Sequence, residues 1–227
     1  MKKRAHYITI APSLRVSSHP NKGPILSLPF ESSQFIKSAA RLSDCPPDGG
    51  LEVAFAGRSN AGKSSAINCL TRQTRLARTS KTPGRTQLLN FFAVTPNARL
   101  VDLPGYGYAK VPQAMREAWH RNIDAYLRHR NSLAGIVLVM DVRHPMKPFD
   151  EMMLEWSHDS ATLSHLLLTK ADKLSRGASA STLAKIRSSL PPHATAQLFS
   201  ATTRVGRDEL AQQLNVWLEA AEPVEPT

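Results

Sequence analysis

The sequence predicts a three-layer α/β fold, in which a mostly parallel central sheet carries helices on both faces. After a Pro- and Gly-rich loop at residues 45–50, short apolar segments alternate with longer helical stretches. Apolar segments without polar alternation are typical of parallel strands that are buried on both faces. The 227 residues, 41% hydrophobic and 21% charged, suffice for such a core and exclude wholesale disorder.

Each element is predicted from its local pattern. Runs rich in Val, Ile, Leu and Phe predict strands at residues 51–56, 88–94, 99–101, 135–140, 165–168 and 195–199. Apolar residues three and four apart predict helices at 63–71, 112–130, 148–158, 179–190 and 208–220. A short helix is also predicted at 35–42, ended by the Pro-rich loop that follows.

Three segments are expected along the chain. Residues 1–30 contain four prolines and no acidic residue, which predicts a flexible basic N-terminal extension. Residues 31–220 form one domain, and 221–227 a frayed tail. Residues 1–30 could instead be an organelle transit peptide, but they lack a convincing amphipathic helix.

Cytoplasmic localisation without membrane insertion is expected. No apolar stretch follows the N-terminal Met-Lys-Lys-Arg, as a secretory signal would require. The longest apolar run, residues 136–140, is too short to cross a bilayer. The two cysteines, Cys45 and Cys69, cannot build a disulfide framework and suit a reducing compartment.

Basic charge is concentrated in two zones. The formal net charge is +11, and neither the first thirty residues nor the stretch from Val53 to Val101 contains an acidic residue. High net charge can serve solubility alone. A polyanionic partner, nucleic acid or an anionic membrane, is the alternative explanation.

A phosphate-binding loop is the strongest motif. Eight residues match the pattern G-x-x-x-x-G-K-[ST]: Gly57, Arg58, Ser59, Asn60, Ala61, Gly62, Lys63 and Ser64. A predicted strand precedes them and a predicted helix follows, so backbone N–H groups and the helix N-terminus would surround a phosphate chain. Lys63 would reach the β- and γ-phosphates, and the Ser64 hydroxyl would bind Mg²⁺.

Two later segments would complete the phosphate site. The loop after the first helix supplies Gly84, Arg85, Thr86, Gln87 and Leu88, where Thr86 could bind Mg²⁺ or be an ordinary loop residue. A D-x-x-G pattern then ends a strand: Asp102, Leu103, Pro104 and Gly105. Asp102 would hold Mg²⁺ through a water, and the Gly105 N–H would contact the γ-phosphate. Lys63, Thr86 and Gly105 are therefore the predicted catalytic residues.

Two further segments predict recognition of guanine. Thr169, Lys170, Ala171 and Asp172 follow a predicted strand. The Asp172 carboxylate can accept hydrogen bonds from guanine N1–H and N2–H₂, a donor pair that adenine lacks. The stem of Lys170 would pack on the base. Ser200 and Ala201 follow the last strand, where a backbone N–H could bind guanine O6.

With these elements in this order, the chain resembles the EngB family of bacterial ribosome-biogenesis GTPases, within the TrmE-Era-EngA-EngB-septin-like P-loop GTPases. The likeness is carried by residues 53–60, 79–87, 102–109, 141–145 and 169–172, and it spans about residues 30–218. It implies a cytoplasmic, Mg²⁺-dependent GTPase that assembles the large ribosomal subunit, contacts rRNA and is needed for normal division and septum formation. A monomer is the expected state.

Turnover is expected to be slow. Tyr106 follows the D-x-x-G pattern, where many GTPases carry a water-orienting Gln. Asn60 could help bind an activating K⁺ ion or could cap the loop backbone. Two other functions stay open: a nucleotide-switched protein-binding module of the division machinery with incidental hydrolysis, and a P-loop ATPase or kinase.

Overall fold

The computed structural model describes residues 27–77, 88–106 and 113–218. Seven strands form one sheet: β1 (Gln34–Ala39), β2 (Leu51–Gly57), β3 (Leu89–Thr95), β4 (Ala98–Asp102), β5 (Leu133–Asp141), β6 (Leu163–Thr169) and β7 (Ala194–Leu198). Within the described residues, five α-helices connect or follow them: α1 (Lys63–Leu70), α2 (Gln113–His129), α3 (Pro148–Asp159), α4 (Arg176–Arg187) and α5 (Arg207–Leu218). The strands and helices predicted after residue 50 are thus confirmed, most within two residues of their bounds.

The sheet is mostly parallel, in the order β1-β3-β4-β2-β5-β6-β7. Strands β4, β2, β5, β6 and β7 run parallel, while β3 pairs antiparallel with β4, and β1 antiparallel with β3. Strand β2 lies at the centre and is buried from Glu52 to Gly57. This burial on both faces explains why its sequence shows no polar alternation.

Helices cover both faces of the sheet, which confirms the three-layer architecture. On one face, α1 and α5 contribute Ile67, Leu70 and Leu214 to a buried cluster with β2. On the other face, α2, α3 and α4 contribute Tyr126, Met153 and Ile186. Within the described part of the chain, none of the helices is both long enough and apolar enough to cross a membrane.

The helix predicted at residues 35–42 is wrong. Residues 34–39 instead form the edge strand β1, whose Ser38 hydroxyl donates to Asn90 Oδ1 on β3 at 2.7 Å. The Phe35 ring meets the Phe92 ring edge-on, with centroids 6.0 Å apart. Pairing with β3 therefore overrides the local helical pattern, and the aromatic and β-branched residues at 35 and 36 suit a strand.

The ends of the predicted segments also differ in detail. Within the segment predicted as an extension, Phe30 is buried, and the Leu28 N–H donates to Asn215 Oδ1 at 3.1 Å. Residues 1–26 and the tail at 221–227 lie outside the described residues. Helix α4 starts three residues before the predicted position because the Ser175 hydroxyl accepts the Ala178 N–H and caps the helix.

A buried ionic cluster lies at the amino ends of the parallel strands. The Glu52 carboxylate is fully buried and accepts hydrogen bonds from Arg99, Arg130 and the Tyr126 hydroxyl, at 2.6–3.0 Å. Two guanidinium groups and one hydroxyl therefore compensate this carboxylate, which makes its burial tolerable. The cluster fixes the start of β2 against β4 and the end of α2.

A buried histidine joins β6 to β7. His165 Nε2 lies 2.9 Å from Gln197 Oε1, and its Nδ1 lies 2.7 Å from the Thr195 hydroxyl. The Gln197 amide group donates to the carbonyl of Gly206 at 2.7 Å, so Oε1 faces His165 and Nε2 must donate. Burial lowers the pKa of His165 to about 4, and the ring is therefore neutral.

Candidate functional site

A cleft of about 1270 Å³ opens at the carboxyl ends of β2 and β4. The phosphate-loop and D-x-x-G segments line it together with Leu88, Lys170, the edge strand β1 and its neighbour β3. Because parallel strands end at one edge of the sheet, the segments that follow β2, β4, β6 and β7 meet there. Of the predicted base-binding residues that the structure describes, Lys170 lines this cleft, whereas Asp172, Ser200 and Ala201 lie outside its lining.

The phosphate loop has a backbone that its sequence makes possible. Gly62 has a left-handed φ of +98° and directly precedes the first residue of α1, Lys63. Asn60 is also left-handed, with φ +65°. A Cβ at Gly57 would lie 2.6 Å from the Val139 carbonyl oxygen, so no side chain fits there. The loop thus turns tightly from β2 into the N-terminus of α1, whose N–H groups favour an anion.

The D-x-x-G segment is bonded to this loop. The Ser59 N–H donates to the Tyr106 carbonyl at 2.8 Å, and the Tyr106 N–H donates to the Gly57 carbonyl at 3.3 Å. The Leu103 N–H donates to the Phe55 carbonyl at 3.0 Å. Pro104 and Gly105 therefore lie beside the phosphate loop.

Lys63 and Asp102 form an ion pair inside the cleft. The Lys63 ammonium contacts Asp102 Oδ1, and the two side chains are only 10% and 8% exposed. Ser64 lines the same cleft. A serine hydroxyl and a carboxylate are the oxygen donors that Mg²⁺ prefers, so these residues fit the ion that the motif implies. Gly84, Arg85, Thr86 and Gln87 lie outside the described residues.

Thr169 ties the base-binding segment to the phosphate loop. Its hydroxyl, buried at the end of β6, donates to the Ala61 carbonyl and also lies 3.1 Å from the Met140 carbonyl. The short Thr side chain makes this connection with a single hydroxyl. Gly62 packs close by, since a Cβ there would lie 3.4 Å from Thr169 Oγ1.

Asp172 is held by the segment after β7. The Ser200 hydroxyl donates to Asp172 Oδ1 at 2.6 Å, and Lys173 Nζ lies 3.2 Å from Oδ2. The hydrogen bond from Ser200, with help from Lys173, lowers the pKa of Asp172 below its ordinary value. Asp172 is therefore an anion at neutral pH and can accept two hydrogen bonds from a base.

The structure divides the roles expected of Ser200 and Ala201. The Ser200 N–H donates to the Val205 carbonyl at 3.0 Å, and the Ser200 side chain orients Asp172. Of the two residues, Ala201 is the one for which a backbone N–H toward guanine O6 stays a prediction. The Ala171 N–H donates to the Phe199 carbonyl at 3.1 Å, which fixes the two base-binding segments side by side.

Asp141 ends β5 at the same edge and belongs to the segment 141–145 of the family likeness, but it was not among the predicted site residues. The Asp141 carboxylate forms a bidentate ion pair with the Arg143 guanidinium, in which Nε lies 2.9 Å from Oδ1 and Nη2 lies 2.7 Å from Oδ2. The Lys170 Nζ lies 3.0 Å from the same Oδ2. Hydrogen bonds from Arg143 above all, and then from Lys170, hold the pKa of Asp141 well below its usual range. An acid at the carboxyl end of a parallel strand was the signal that could have revealed it.

Tyr106 faces the core instead of the phosphates. Its ring lies 3.9 Å from that of Phe149, and its hydroxyl donates to Asp150 Oδ1 at 2.5 Å. Asp150 in turn caps α3 by accepting the Lys147 N–H at 3.0 Å. Burial and the Asp150 carboxylate raise the pKa of the Tyr106 hydroxyl far above its ordinary value, so it stays protonated.

Several solved structures are similar to this chain. A probable GTP-binding protein EngB has 20% sequence identity and a TM-score of 0.61, with 74% of this chain and 99% of that chain covered. Era in complex with MgGDPNP and nucleotides 1506–1542 of 16S ribosomal RNA also has 20% identity and a TM-score of 0.61, covering 78% and 60%. The bacterial selenocysteine-specific elongation factor EF-Sec has 22% identity and a TM-score of 0.56, covering 78% and 30%. At these identities the likeness shows the shared fold.

The family comparison reaches further than the fold. A family model described as "50S ribosome-binding GTPase" matches residues 52–170, which is more than half of the chain. The match runs from the second residue of β2 to Lys170, and so includes the phosphate loop and the D-x-x-G segment. The chain therefore belongs to the family of 50S ribosome-binding GTPases, whose members bind and hydrolyse GTP.

Proposed function

We propose that this protein is a slow, Mg²⁺-dependent GTPase that acts as a monomeric assembly factor for the large ribosomal subunit. The observation that carries the nucleotide part is the direct bonding between the two halves of the site. Thr169 and Lys170 both donate to carbonyls of the phosphate loop, those of Ala61 and Asn60. One ligand with a base at Asp172 and phosphates at the loop would span the bonded segments.

The residues divide the chemistry among them. Water attacks the γ-phosphate, and catalysis comes from positioning and from compensation of the developing charge. The Lys63 ammonium, once it leaves Asp102, supplies a positive charge to the phosphates, and the Gly105 N–H donates toward the γ-phosphate. Mg²⁺, held by the Ser64 and Thr86 hydroxyls and by Asp102 through a water, would neutralise phosphate charge.

A slow intrinsic rate follows from the position of Tyr106. Its hydroxyl is bonded to Asp150 within the core, so it does not orient an attacking water as a glutamine would. Asn60 lines the cleft, and the hypothesis that it helps hold K⁺ stays a prediction. Equal hydrolysis rates in K⁺ and Na⁺ buffers would remove that hypothesis.

Competition between nucleotides tests the proposed activity. GTP and GDP should displace a fluorescent GDP analogue, whereas ATP should not, since adenine lacks the donor pair that Asp172 accepts. Asp172→Asn should weaken GDP binding and strengthen binding of xanthosine diphosphate, whose O2 accepts a hydrogen bond from the new amide. ATP competing as well as GTP, or Asp172→Asn leaving both affinities unchanged, would favour the ATPase alternative.

Ribosome assembly is supported by charge and by the family. The acid-free stretch between Val53 and Val101 suits a polyanion such as rRNA, and Era, a structural neighbour, was solved with a 16S rRNA segment. We expect co-sedimentation with large-subunit particles in GTP, weakening as salt rises. Salt-insensitive binding would argue against an electrostatic contact. Loss of particle binding with retained binding to division proteins would favour the switch-module alternative.

The proposal extends to the cell and follows there from the EngB resemblance. The protein would act in the bacterial cytoplasm and be needed for normal division and septum formation. Depletion should cause large-subunit precursors to accumulate before septation fails. Septation failure with normal subunits would separate the two roles.

A further inference from the structure

Asp141 connects two cations at the carboxyl ends of β5 and β6. Its Oδ1 accepts hydrogen bonds from the backbone N–H of Arg143 at 3.0 Å and from the Arg143 Nε at 2.9 Å. Its Oδ2 accepts a third hydrogen bond, from the Arg143 Nη2, at 2.7 Å. The same Oδ2 lies 3.0 Å from the Lys170 ammonium. A carboxylate fixed by three bonds from one arginine is a rigid acceptor for a second cation.

Lys170 has its second anchor in the phosphate loop. Its ammonium donates to the Asn60 carbonyl at 2.7 Å, and its side chain is one third exposed. The backbone of Lys170 has a left-handed conformation, with φ +58°, so the chain leaves the direction of β6 at this residue. A lysine side chain has several rotatable bonds. A hydrogen bond to one carbonyl alone would therefore leave it free to adopt many conformations.

The carboxylate is not needed to hold the strands together. Strands β5 and β6 pair in parallel up to Asp141 and Thr169, and the Val142 N–H donates to the Thr169 carbonyl at 3.0 Å. Backbone bonds thus already join the two strand ends. The ion pair with Lys170 adds a constraint on a side chain that lines the cleft.

We propose that Asp141 is a positioning residue for guanine-nucleotide binding. Held by Arg143, its carboxylate fixes the Lys170 ammonium against the phosphate loop, with the lysine stem placed to cover the base. This inference rests on the proposed GTPase function and adds two residues, Asp141 and Arg143, to those that support nucleotide binding.

Nucleotide release measures this role. Asp141→Asn keeps the side-chain shape but removes the charge, and we expect about a tenfold weaker affinity for a fluorescent GDP analogue, through faster dissociation. Arg143→Gln should give a smaller loss, and Arg143→Lys should recover part of it. Asp124→Asn is the matched control, because Asp124 forms an exposed ion pair with Arg128 at 2.6 Å on α2. It should change the affinity less than twofold.

A double variant separates positioning from general support. If Asp141 acts through Lys170, then Asp141→Asn with Lys170→Met should bind GDP no more weakly than Lys170→Met alone, with unchanged thermal midpoints. The inference would be overturned if the losses in GDP affinity of the two single variants multiplied in the double variant. It would also be overturned if the GDP affinity of Asp141→Asn stayed within twofold of that of the parent. Failure of the parent protein to bind GDP would instead refute the proposed function.

Discussion

Replacing Thr169 by Val should loosen the phosphate loop without changing the shape of the core. The Thr169 side chain is 3% exposed, and its hydroxyl serves the carbonyls of Ala61 and Met140. Valine keeps the branched shape but donates nothing. The variant therefore removes one of the two side-chain bonds that join the base-binding segment to the phosphate loop, and it leaves the bond from Lys170 to the Asn60 carbonyl in place.

The expected magnitude follows from the loss of one buried donor. A buried acceptor left without its partner costs about 1–3 kcal/mol. For a chain of this size, each kcal/mol lowers the thermal midpoint by about 2–4 °C. Nucleotide affinity should fall as well, since the Ala61–Gly62 peptide would no longer be held in its binding conformation. The same 1–3 kcal/mol corresponds to about 5- to 150-fold in a dissociation constant.

Two measurements on three proteins test the reasoning. Thermal unfolding without nucleotide and titration with a fluorescent GDP analogue are compared for the parent, Thr169→Val and Thr169→Ser. Serine retains the hydroxyl and should keep most of the affinity, although it loses a buried methyl group. A valine variant with the parent's midpoint and affinity, or a serine variant as weak as valine, would refute the role of the hydroxyl.

Three further outcomes are expected. The pKa of His165 is about 4 in the folded chain against an ordinary 6.5, so the unfolded chain binds the proton first. The free energy of unfolding should therefore fall by up to about 3 kcal/mol as the pH drops from 6.5 to 4, and urea titrations of His165→Gln should lose this dependence. Glu52→Gln leaves Arg130 poorly compensated and should cost about 3–5 kcal/mol in urea unfolding, with GDP affinity nearly unchanged. Tyr106→Phe removes the bond to Asp150 and should lower the thermal midpoint, while the GTPase rate should stay within about threefold of the parent.

Much of the sheet was predictable because its strands are buried on both faces. Val53 and Val137 belong to apolar runs that are stable in water only when they are buried in a core. The glycines of the phosphate loop mark the turn after β2. The order of motifs along the chain then placed their residues at one edge, because parallel strands end together.

The elements and contacts that the sequence did not predict depend on residues that are distant along the chain. Strand β1 exists through pairing with β3, more than fifty residues later, and its local pattern favoured a helix. Asp141 becomes a candidate through Lys170 only once the strand ends are adjacent, and only then does the side chain of Ser200, itself a predicted site residue, meet Asp172. Tyr106 was correctly seen to lack a carboxamide, but nothing local indicated that its hydroxyl would bond α3.

The buried ionic cluster around Glu52 has a consequence for how this protein could be labelled. Five residue steps of strand separate Glu52 from Gly57, roughly 17 Å at about 3.3 Å per step. The cluster and the phosphate loop therefore lie at opposite ends of one buried strand. A dye on Asn131→Cys, beside that cluster, would report unfolding from the end of the sheet opposite the cleft, once Cys45 and Cys69 are replaced by serine so that position 131 alone is labelled.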